Sequence, residues 1–253
     1  MRTAITTAAA VLLSATVVAA QDRFELEASF WEPDLAGGVR VLEQGVGQEL
    51  DFGADLSLAA EGVTDVRVAL RPSRRTEIRF ARLPLSAAGD AVATRTLEFG
   101  GEVFTLSTRI VSRLELDYLR AGFAWQFLSS ADGRFRAGPL LEVKGFTGDA
   151  SLAAPELLLP VSVAEDFDAA FGSAGLAVDL EPSDRVHLFG ELTVVVGADE
   201  GSQTDLEAGV RVKLTGPLAA RVGYRSIRID LADGDDRVDF DVEGAFFGVS
   251  LAF

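Results

Sequence analysis

The chain has 253 residues, of which 39 are Asp or Glu and 23 are Lys or Arg, so its formal net charge is −16. Hydrophobic residues still make up 48% of it, which excludes general disorder, because disordered acidic chains are poor in apolar residues. The negative charge argues against nucleic acid as a partner, since phosphate binding requires a basic surface. With no cysteine, disulfides, thiolate metal sites and Cys nucleophiles are excluded.

The N-terminal segment predicts a cleaved leader. Met1 and Arg2 precede an uncharged, mostly apolar run over residues 4–18, and Ala19-Ala20-Gln21 ends it with small residues. This pattern is typical of a secretory signal peptide over residues 1–20, cut after Ala20. The alternative is a membrane-anchoring helix, but the run is shorter than the roughly 20 apolar residues that spanning requires. Without the leader, 22 basic and 39 acidic residues remain, a charge of −17.

Residues 21–253 are predicted to form a single all-β domain. In residues 206–214 every second residue is apolar and those between are polar or small. Residues 186–196 largely repeat this pattern, with His187, Glu191 and Thr193 on the polar face. Because side chains alternate across a strand, each such segment has one apolar and one polar face. The predicted strands cover residues 23–31, 63–71, 75–83, 110–128, 134–147, 168–181, 185–197, 203–214, 218–231 and 237–253.

The connections between these strands are of two alternating kinds. Short turns are predicted at residues 72–74, 129–133, 182–184 and 215–217. The remaining connections are long (32–62, 84–109, 148–167) or short and acidic (198–202, 232–236). Short turns at one rim, longer loops at the other and an even strand number are typical of a transmembrane antiparallel up-and-down β-barrel of the outer membrane. Ten strands are expected, with eight or twelve as alternatives and a soluble sandwich or lipocalin-like binder as the rival fold.

Three predicted strands change the phase of their alternation, and two explanations are open. β-Bulges near residues 118–119, 225–226 and 243–244 would restore a single apolar face. Alternatively, these strand ends project beyond the membrane. Aromatic residues near the strand ends predict interfacial girdles, with Phe24, Trp125, Phe127, Phe135 and Phe253 toward the short turns and Phe30 and Trp31 toward the other rim.

The chain ends with an alternating apolar strand. Its apolar positions are Ala245, Phe247, Val249, Leu251 and Phe253. A terminal Phe behind such alternation resembles the C-terminal insertion signal of bacterial outer-membrane barrels, which implies recognition by the barrel-assembly machinery. This strand is expected to face lipid with these residues and to close the barrel against the first strand.

Short motifs extend the resemblance along most of residues 22–253. Phe30-Trp31-Glu32-Pro33-Asp34, Glu77-Ile78-Arg79-Phe80 and Gly223-Tyr224-Arg225 are similar to the pattern of a group of Gram-negative outer-membrane β-barrel proteins. The resemblance implies the fold and an outer-membrane location, in contact with lipid and lipopolysaccharide. That group has no well-defined common activity, so the resemblance implies no catalytic residue.

Hairpin geometry predicts which charged residues meet inside the barrel. Pairing across the 215–217 turn sets Glu207 opposite Arg225 and Arg211 opposite Arg221, and Glu191 comes within diagonal reach of Arg211. Pairing of the last two strands sets Arg228 near Asp241. These residues predict a charge network in a narrow lumen, since wide water channels need about 16 strands. A structural network and a narrow conduit or small-ligand site remain open as interpretations.

No catalytic site, cofactor or metal site is predicted. The sole histidine, His187, lies just after a short turn, and Phe189 stands where a serine two residues on would be needed. Its sequence neighbours Arg185 and Glu191 favour a neutral or ion-paired lumen histidine. The acidic loops at 198–202 and 232–236 lack the ligand spacing of an EF-hand and are expected to be solvated.

The expected function is therefore a structural or surface-interaction barrel with a narrow, charge-plugged lumen. The first alternative is a narrow channel or small-molecule transporter. An outer-membrane hydrolase is a weaker third alternative, because the sequence shows no nucleophile–base pair. The oligomeric state is left open by the sequence.

Overall fold

The protein is described by a computed structural model that covers residues 23–43, 46–99, 102–156, 161–195, 201–233 and 236–253. The predicted leader, residues 1–20, lies outside these ranges. Ten long strands dominate the described chain. They are β1 (Phe24–Glu43), β2 (Val63–Ser73), β3 (Thr76–Val92), β4 (Arg109–Trp125), β5 (Phe135–Ala154), β6 (Val161–Ser183), β7 (Val186–Val195), β8 (Gly201–Thr215), β9 (Leu218–Asp233) and β10 (Asp236–Ala252).

The ten strands form a closed antiparallel barrel. Each pairs with its neighbours in chain order, and β10 pairs with β1 with Glu25 opposite Ala252. At the seam, the amide nitrogens of Phe24 and Phe253 each donate to the other's carbonyl oxygen at 2.9 Å. The prediction of a ten-stranded barrel closed between the last and first strands is confirmed. Within the described ranges, no helix is sufficiently long and apolar to cross a bilayer.

An apolar band surrounds the barrel at its short-turn end. Every strand exposes at least one large apolar side chain there. Examples in chain order are Leu26, Val66, Phe80, Leu119, Leu141, Leu176, Leu192, Leu206, Val222 and Phe247. Such a band, about 25 Å tall, is the lipid-facing surface of outer-membrane barrels. The alternating C-terminal positions predicted to face lipid, Ala245 to Phe253, lie on this outer face.

The short turns lie close to their predicted positions, at residues 74–75, 130–134, 184–185 and 216–217. Gly133 (φ 72°) and Gly216 (φ 50°) adopt the left-handed conformation that such turns require and that glycine reaches without strain. In outer-membrane barrels the short-turn end faces the periplasm.

At the opposite end the strands continue well beyond their predicted ends, so the long connections are largely strand. The short strand Val46–Asp51 pairs with β1, and Ala59–Ala60 pairs with β3. Leu97–Phe99 and Glu102–Phe104 form a separate hairpin. At the short-turn end, the two-residue strand Leu128–Ser129 pairs with β5. Parts of the acidic connections, 196–200 and 234–235, lie outside the described residues.

The bulges predicted near residues 118, 225 and 243 are wrong, because the strand registers run through all three places without a shift. Instead, apolar residues in the upper part of several strands, such as Leu116, Ile227 and Val242, turn into the barrel. Charged Arg228 and Glu243 then face outward. This arrangement agrees with the alternative that the strand ends project beyond the membrane. There the outer face meets water and the interior is packed with apolar side chains, so charged residues face outward and apolar residues face inward.

Trp31 lies inside the barrel, so its prediction as a girdle residue is wrong. Its side chain is fully buried, whereas neighbouring Phe30 faces outward. The aromatic pairs on the outer surface are Phe24 with Phe253, Phe30 with Phe247 and Trp125 with Phe127, with ring centres 4.9, 5.4 and 5.4 Å apart. One residue of register therefore separates a lipid-facing ring from a lumen ring.

Candidate functional site

Charged side chains from both halves of the chain cross the lumen inside the apolar band and form what we call the ion layer. They are almost completely buried although each carries a formal charge. Ionised groups removed from water are stable only when they are paired and hydrogen-bonded. The ion layer consists of Glu27, Asp65, Arg67, Arg79, Arg120, Glu142, Lys144, Asp205, Glu207, Arg221 and Arg225.

Glu207 lies at the centre of one half of the ion layer. Its carboxylate accepts hydrogen bonds from Nη2 of Arg225, Arg221 and Arg67, each at 2.7 Å. Arg225 Nε adds a further bond at 3.0 Å. Three guanidinium groups from β2 and β9 therefore surround one carboxylate that β8 supplies.

Arg225 connects this centre to β1 and β2. Its Nη2 also donates to Asp65 at 2.5 Å, and its guanidinium carbon lies 5.4 Å from the centre of the Trp31 ring. The Trp31 indole Nε1 in turn donates to the carbonyl oxygen of Gly244 at 3.0 Å. An aromatic face stabilises a nearby cation electrostatically, and the indole N–H has its own partner, so the contact is favourable for both groups.

Asp205 is the centre of the second half. It accepts hydrogen bonds from the Tyr118 hydroxyl at 2.9 Å and from Arg120 Nη1 and Lys144 Nζ, both at 3.3 Å. Lys144 Nζ also donates to the Thr193 hydroxyl at 2.6 Å. The buried ammonium is thus hydrogen-bonded to one carboxylate and one hydroxyl, and the Glu142 carboxylate lies 3.6 Å from it.

A third set joins β3 to β5 and β7. Arg79 Nη2 donates to Glu142 at 2.9 Å, and its Nη1 donates to Glu191. Gly122 of β4 lies beside this pair, and a Cβ there would be 3.1 Å from the Glu142 Cγ and 3.2 Å from Arg79 Nε. Because Gly122 has no side chain, Arg79 and Glu142 can occupy this space.

The structure places the predicted lumen residues as follows. Glu207 lies opposite Arg225 and Arg211 opposite Arg221, as the hairpin geometry predicted. The two arginines of the second pair both donate to Glu27 of β1, which relieves the repulsion between them.

The other two predicted pairings differ. Glu191 lies opposite Glu207, and Arg211 lies opposite His187, so Glu191 and Arg211 are not brought together. Arg228 and Asp241 do pair, with Nε and Oδ2 2.9 Å apart, but on the outer surface of the barrel. Their assignment to the lumen was wrong because the strand was expected to change phase through a bulge that does not exist.

Most of the ion layer was missed by sequence reasoning, although a signal existed. Glu25 and Glu27, Asp65 and Arg67, and Glu142 and Lys144 are charged pairs two residues apart, on the inward face of otherwise apolar strands. That spacing places both members in the lumen. Their partners lie on strands distant in the chain, which only the closed barrel identifies.

Above the ion layer, toward the long-loop end, apolar side chains fill the barrel and form what we call the apolar layer. It includes Leu83, Leu85, Ile110, Leu116, Ile227, Ile229, Phe240 and Val242. Residues 51–58, which we call the lid, fold into this layer through Phe52, Leu56 and Leu58. The ring centres of Phe52 and Phe240 are 6.4 Å apart, with an edge-on geometry.

The lid is held by an ion pair. Arg95 donates to the Asp55 carboxylate through Nε at 3.0 Å and Nη2 at 2.5 Å, and Asp55 also accepts from the Asp51 amide at 3.0 Å. The hydrogen bonds from Arg95, with that of the Asp51 amide, hold the pKa of Asp55 below its usual value of 3.8 despite burial. The carboxylate form of Asp55 is therefore the one that fastens the lid.

Below the ion layer, the short-turn end opens into a cavity of about 700 Å³, which we call the vestibule. His187 lines it, with Nε2 2.7 Å from the Asp179 carboxylate and Nδ1 3.3 Å from Arg211 Nη1. One ring nitrogen is therefore within ion-pair distance of a carboxylate, and the other faces a guanidinium group. His187 thus lies at the short-turn rim in an ion-paired setting, where the sequence had placed it.

In the described ranges, no group of three or more His, Cys, Asp or Glu residues has the arrangement of a metal site. The carboxylates of the ion layer face guanidinium and ammonium groups instead, which occupy the positions that a cation would take.

Residues 114–243, just over half of the chain, match the family described as "Protein of unknown function, DUF481". The chain belongs to this family. The matched segment runs from β4 to β10 and contains both carboxylate centres, Glu207 and Asp205. No curated protein matches this family member in sequence.

Solved structures similar to this DUF481 protein include the outer membrane protease OmpT from Escherichia coli. It has 8% sequence identity and a TM-score of 0.60, and the match covers 92% of this chain and 97% of OmpT. The translocator domain of the autotransporter NalP from Neisseria meningitidis (11% identity, 92% and 90% coverage) has a TM-score of 0.48. The outer membrane protein OprG from Pseudomonas aeruginosa (11%, 91% and 95%) has a TM-score of 0.35. The fold is that of an outer-membrane β-barrel.

Proposed function

We propose that this DUF481 protein is an integral outer-membrane barrel, exported by a leader cut after Ala20, with a closed lumen and a structural or surface-interaction role. The observation that carries the proposal is the stacking of two filled layers inside one barrel. The ion layer occupies the lower lumen, and the apolar layer with its lid occupies the upper one. A water-filled pathway would have to pass both.

The ion layer opposes conduction because its charges neutralise one another. Glu207 is almost completely buried among three guanidinium groups, and Asp205 is held by Tyr118, Arg120 and Lys144. Moving one of these side chains aside would leave its partner charged and unpaired, which costs several kcal/mol. A ten-stranded barrel also lacks the diameter of the porins, which have about 16 strands.

The long-loop end offers the surface for an interaction role. Exposed ion pairs such as Arg109 with Asp90 and Glu156 join neighbouring connections there. Val92, Val103 and Leu106 are exposed apolar residues of the same end, well away from the lipid-facing band. Acidic groups at this end would contact lipopolysaccharide through bridging divalent ions, and the lipid-facing C-terminal strand would be the part that the barrel-assembly machinery engages.

Catalysis is not part of the proposal. The His187 ring in the vestibule faces charged partners through both nitrogens, with Nε2 2.7 Å from the Asp179 carboxylate and Nδ1 3.3 Å from Arg211 Nη1.

Single-channel recording in planar bilayers tests the closed lumen. We expect no conductance steps from the full-length protein, and none from Arg228→Ala, which removes an outer-surface charge. A pathway should open only when both layers are disrupted, so Glu207→Ala combined with deletion of the lid residues 51–58 should give brief, irregular openings. Uniform, long-lived conductance steps from the unaltered protein would contradict the proposal.

Those steps would favour the second candidate function, a narrow channel or small-molecule transporter. The vestibule is the observation in its favour, since a polar cavity of about 700 Å³ at the periplasmic end is large enough to admit a solute.

A further inference from the structure

The vestibule is basic although the chain is acidic. Its lining contains eight Arg or Lys residues and six Asp or Glu residues, against a net charge of −16 for the whole chain. The cations are Arg23, Arg71, Arg74, Arg75, Arg136, Arg185, Arg211 and Lys213, and the acids are Glu25, Glu77, Asp132, Asp179, Glu181 and Asp184. The remaining negative charge lies elsewhere on the molecule.

All six carboxylates of the lining already have partners. Arg71 bridges Glu25 and Glu77, at 2.5 and 2.9 Å. Arg136 pairs with Glu181 at 2.9 Å, and Arg134 with Asp184 at 3.4 Å. His187 holds Asp179, and the Ser130 hydroxyl and the Arg134 amide hold Asp132, whose pKa these bonds lower.

Several cations of the lining lack such partners. Arg23, Arg75, Arg185 and Lys213 form no ion pair with any residue in the described ranges, and all four are exposed. They come from separate parts of the rim. Arg23 precedes β1, Arg75 lies in the turn before β3, Arg185 lies in the turn before β7, and Lys213 lies near the end of β8.

Two partly buried arginines of the lining have a further N–H donor without a partner. The Nε atoms of Arg136 and Arg211 are buried and have no hydrogen-bond partner, although other atoms of both side chains are paired. A concave site whose acids are neutralised and whose cations are not has a positive potential, which the low-dielectric walls concentrate.

We propose that the vestibule is a receptor site for a small multivalent phosphate-bearing anion that enters from the periplasmic side. The cavity volume lies within the roughly 300–1,000 Å³ of ordinary small-molecule sites. Guanidinium groups bind phosphate oxygens in pairs, which favours phosphate in an arginine-rich site. Several phosphates are required because the unpaired cations lie on different turns of the rim. The site does not depend on whether the lumen conducts.

Inositol hexakisphosphate, a compact polyphosphate, is the probe, titrated calorimetrically into the full-length protein in an uncharged detergent. The test variant is Arg75→Gln/Arg185→Gln/Lys213→Gln, and the matched control is Arg82→Gln/Arg113→Gln/Arg228→Gln, which removes the same charge from exposed outer-surface positions. We expect saturable binding that the test variant weakens about tenfold or more and the control leaves unchanged. Heat-modifiable migration checks that both variants are folded.

Absence of binding to the unaltered protein, or equal weakening by both triple variants, would overturn the proposal, since the latter means attraction to charge alone. Nanodiscs identify the source of the phosphate. If lipid headgroups fill the vestibule, the unaltered protein will bind the probe more weakly in phosphatidylglycerol discs than in phosphatidylcholine discs. The test variant will show no such difference between the two lipids. If the natural ligand is a free anion, the two lipids will give the same affinity.

Discussion

Glu207 and Arg225 face each other across the β8–β9 ladder, and a single oxygen of Glu207 accepts two hydrogen bonds from Arg225, from Nε at 3.0 Å and from Nη2 at 2.7 Å. Both side chains are almost completely buried. The pair lies in the lumen, and the outer face of the surrounding barrel wall is apolar. Neither charge can therefore reach water by a change of rotamer. The stability of the lumen therefore depends on keeping both partners.

Removing one partner of this pair should destabilise the barrel strongly. We expect Glu207→Ala and Arg225→Ala each to lower the free energy of unfolding by about 3–5 kcal/mol, because each leaves buried charge uncompensated. The double variant should lose clearly less than the sum. Urea unfolding in detergent measures this. Arg228→Ala and Asp241→Ala, which break an ion pair on the outer surface, should each cost about 1 kcal/mol or less. Strictly additive losses at Glu207 and Arg225 would show that the two are not coupled.

The two tryptophans should report opposite environments. Trp31 is buried in the lumen and Trp125 is exposed on the apolar band. In vesicles that contain brominated lipid, we expect strong fluorescence quenching in Trp31→Phe, which retains Trp125, and little in Trp125→Phe, which retains Trp31. The quencher acts only on rings that face the acyl chains. Equal quenching of both variants would place Trp31 at the lipid surface and refute the register of β1.

The lid should loosen in acid. The pKa of Asp55 is lowered in the folded protein, chiefly by its hydrogen bonds from Arg95, so the ionised pair stabilises the lid fully above the usual Asp value of 3.8. This contribution is lost as the pH falls through the lowered value. Hydrogen-exchange protection of the lid amides, corrected for intrinsic rates, should therefore be constant from pH 7 to about 5 and decline in more acid solution. The amides concerned are those of Asp55, Ser57 and Leu58, which bond within the lid.

Asp55→Asn should abolish this pH dependence and reduce lid protection at neutral pH. Asp132→Asn provides the control, because the pKa of Asp132 is also lowered but its carboxylate lies in a turn at the opposite end. An unchanged acid response in Asp55→Asn would assign the effect to another group.

Gly89 should be essential for seating the lid. A Cβ at this position would lie 2.2 Å from the Leu56 carbonyl oxygen and 2.5 Å from the Ser112 Oγ, and the former is backbone that cannot rotate away. We expect Gly89→Ala to lower the free energy of unfolding by about 1–3 kcal/mol and to expose the lid to proteolysis. Gly190→Ala adds the same methyl group to open space and should be nearly neutral. Equal stability of the two variants would contradict the packing of the lid against β3.

Sequence reasoning succeeded where the controlling interactions are local. The alternation of apolar residues and the short turns placed the strand ends near Ser73, Thr76 and Leu218 to within a few residues. Hairpin pairing across one short turn also set Glu207 opposite Arg225. It failed at the long-loop end, where strands such as β1 continue far beyond the apolar band and the lid folds back into the barrel.

The sequence by itself predicted ten strands with eight or twelve as alternatives, the closure of the last strand on the first, and the side on which most residues lie within the band. Alternation and hairpin register are properties of neighbouring residues, so these features could be inferred locally. Only the tertiary structure decided that Trp31 lies in the lumen, that Arg228 faces outward, and that Glu207 is shared with Arg67, which lies 140 positions away. Closing the barrel brings distant strands across one narrow interior, and above the band water replaces lipid outside. The charged residues of this acidic chain are thereby sorted into different parts of the barrel. Paired charges fill the lumen, and unpaired cations collect in the vestibule.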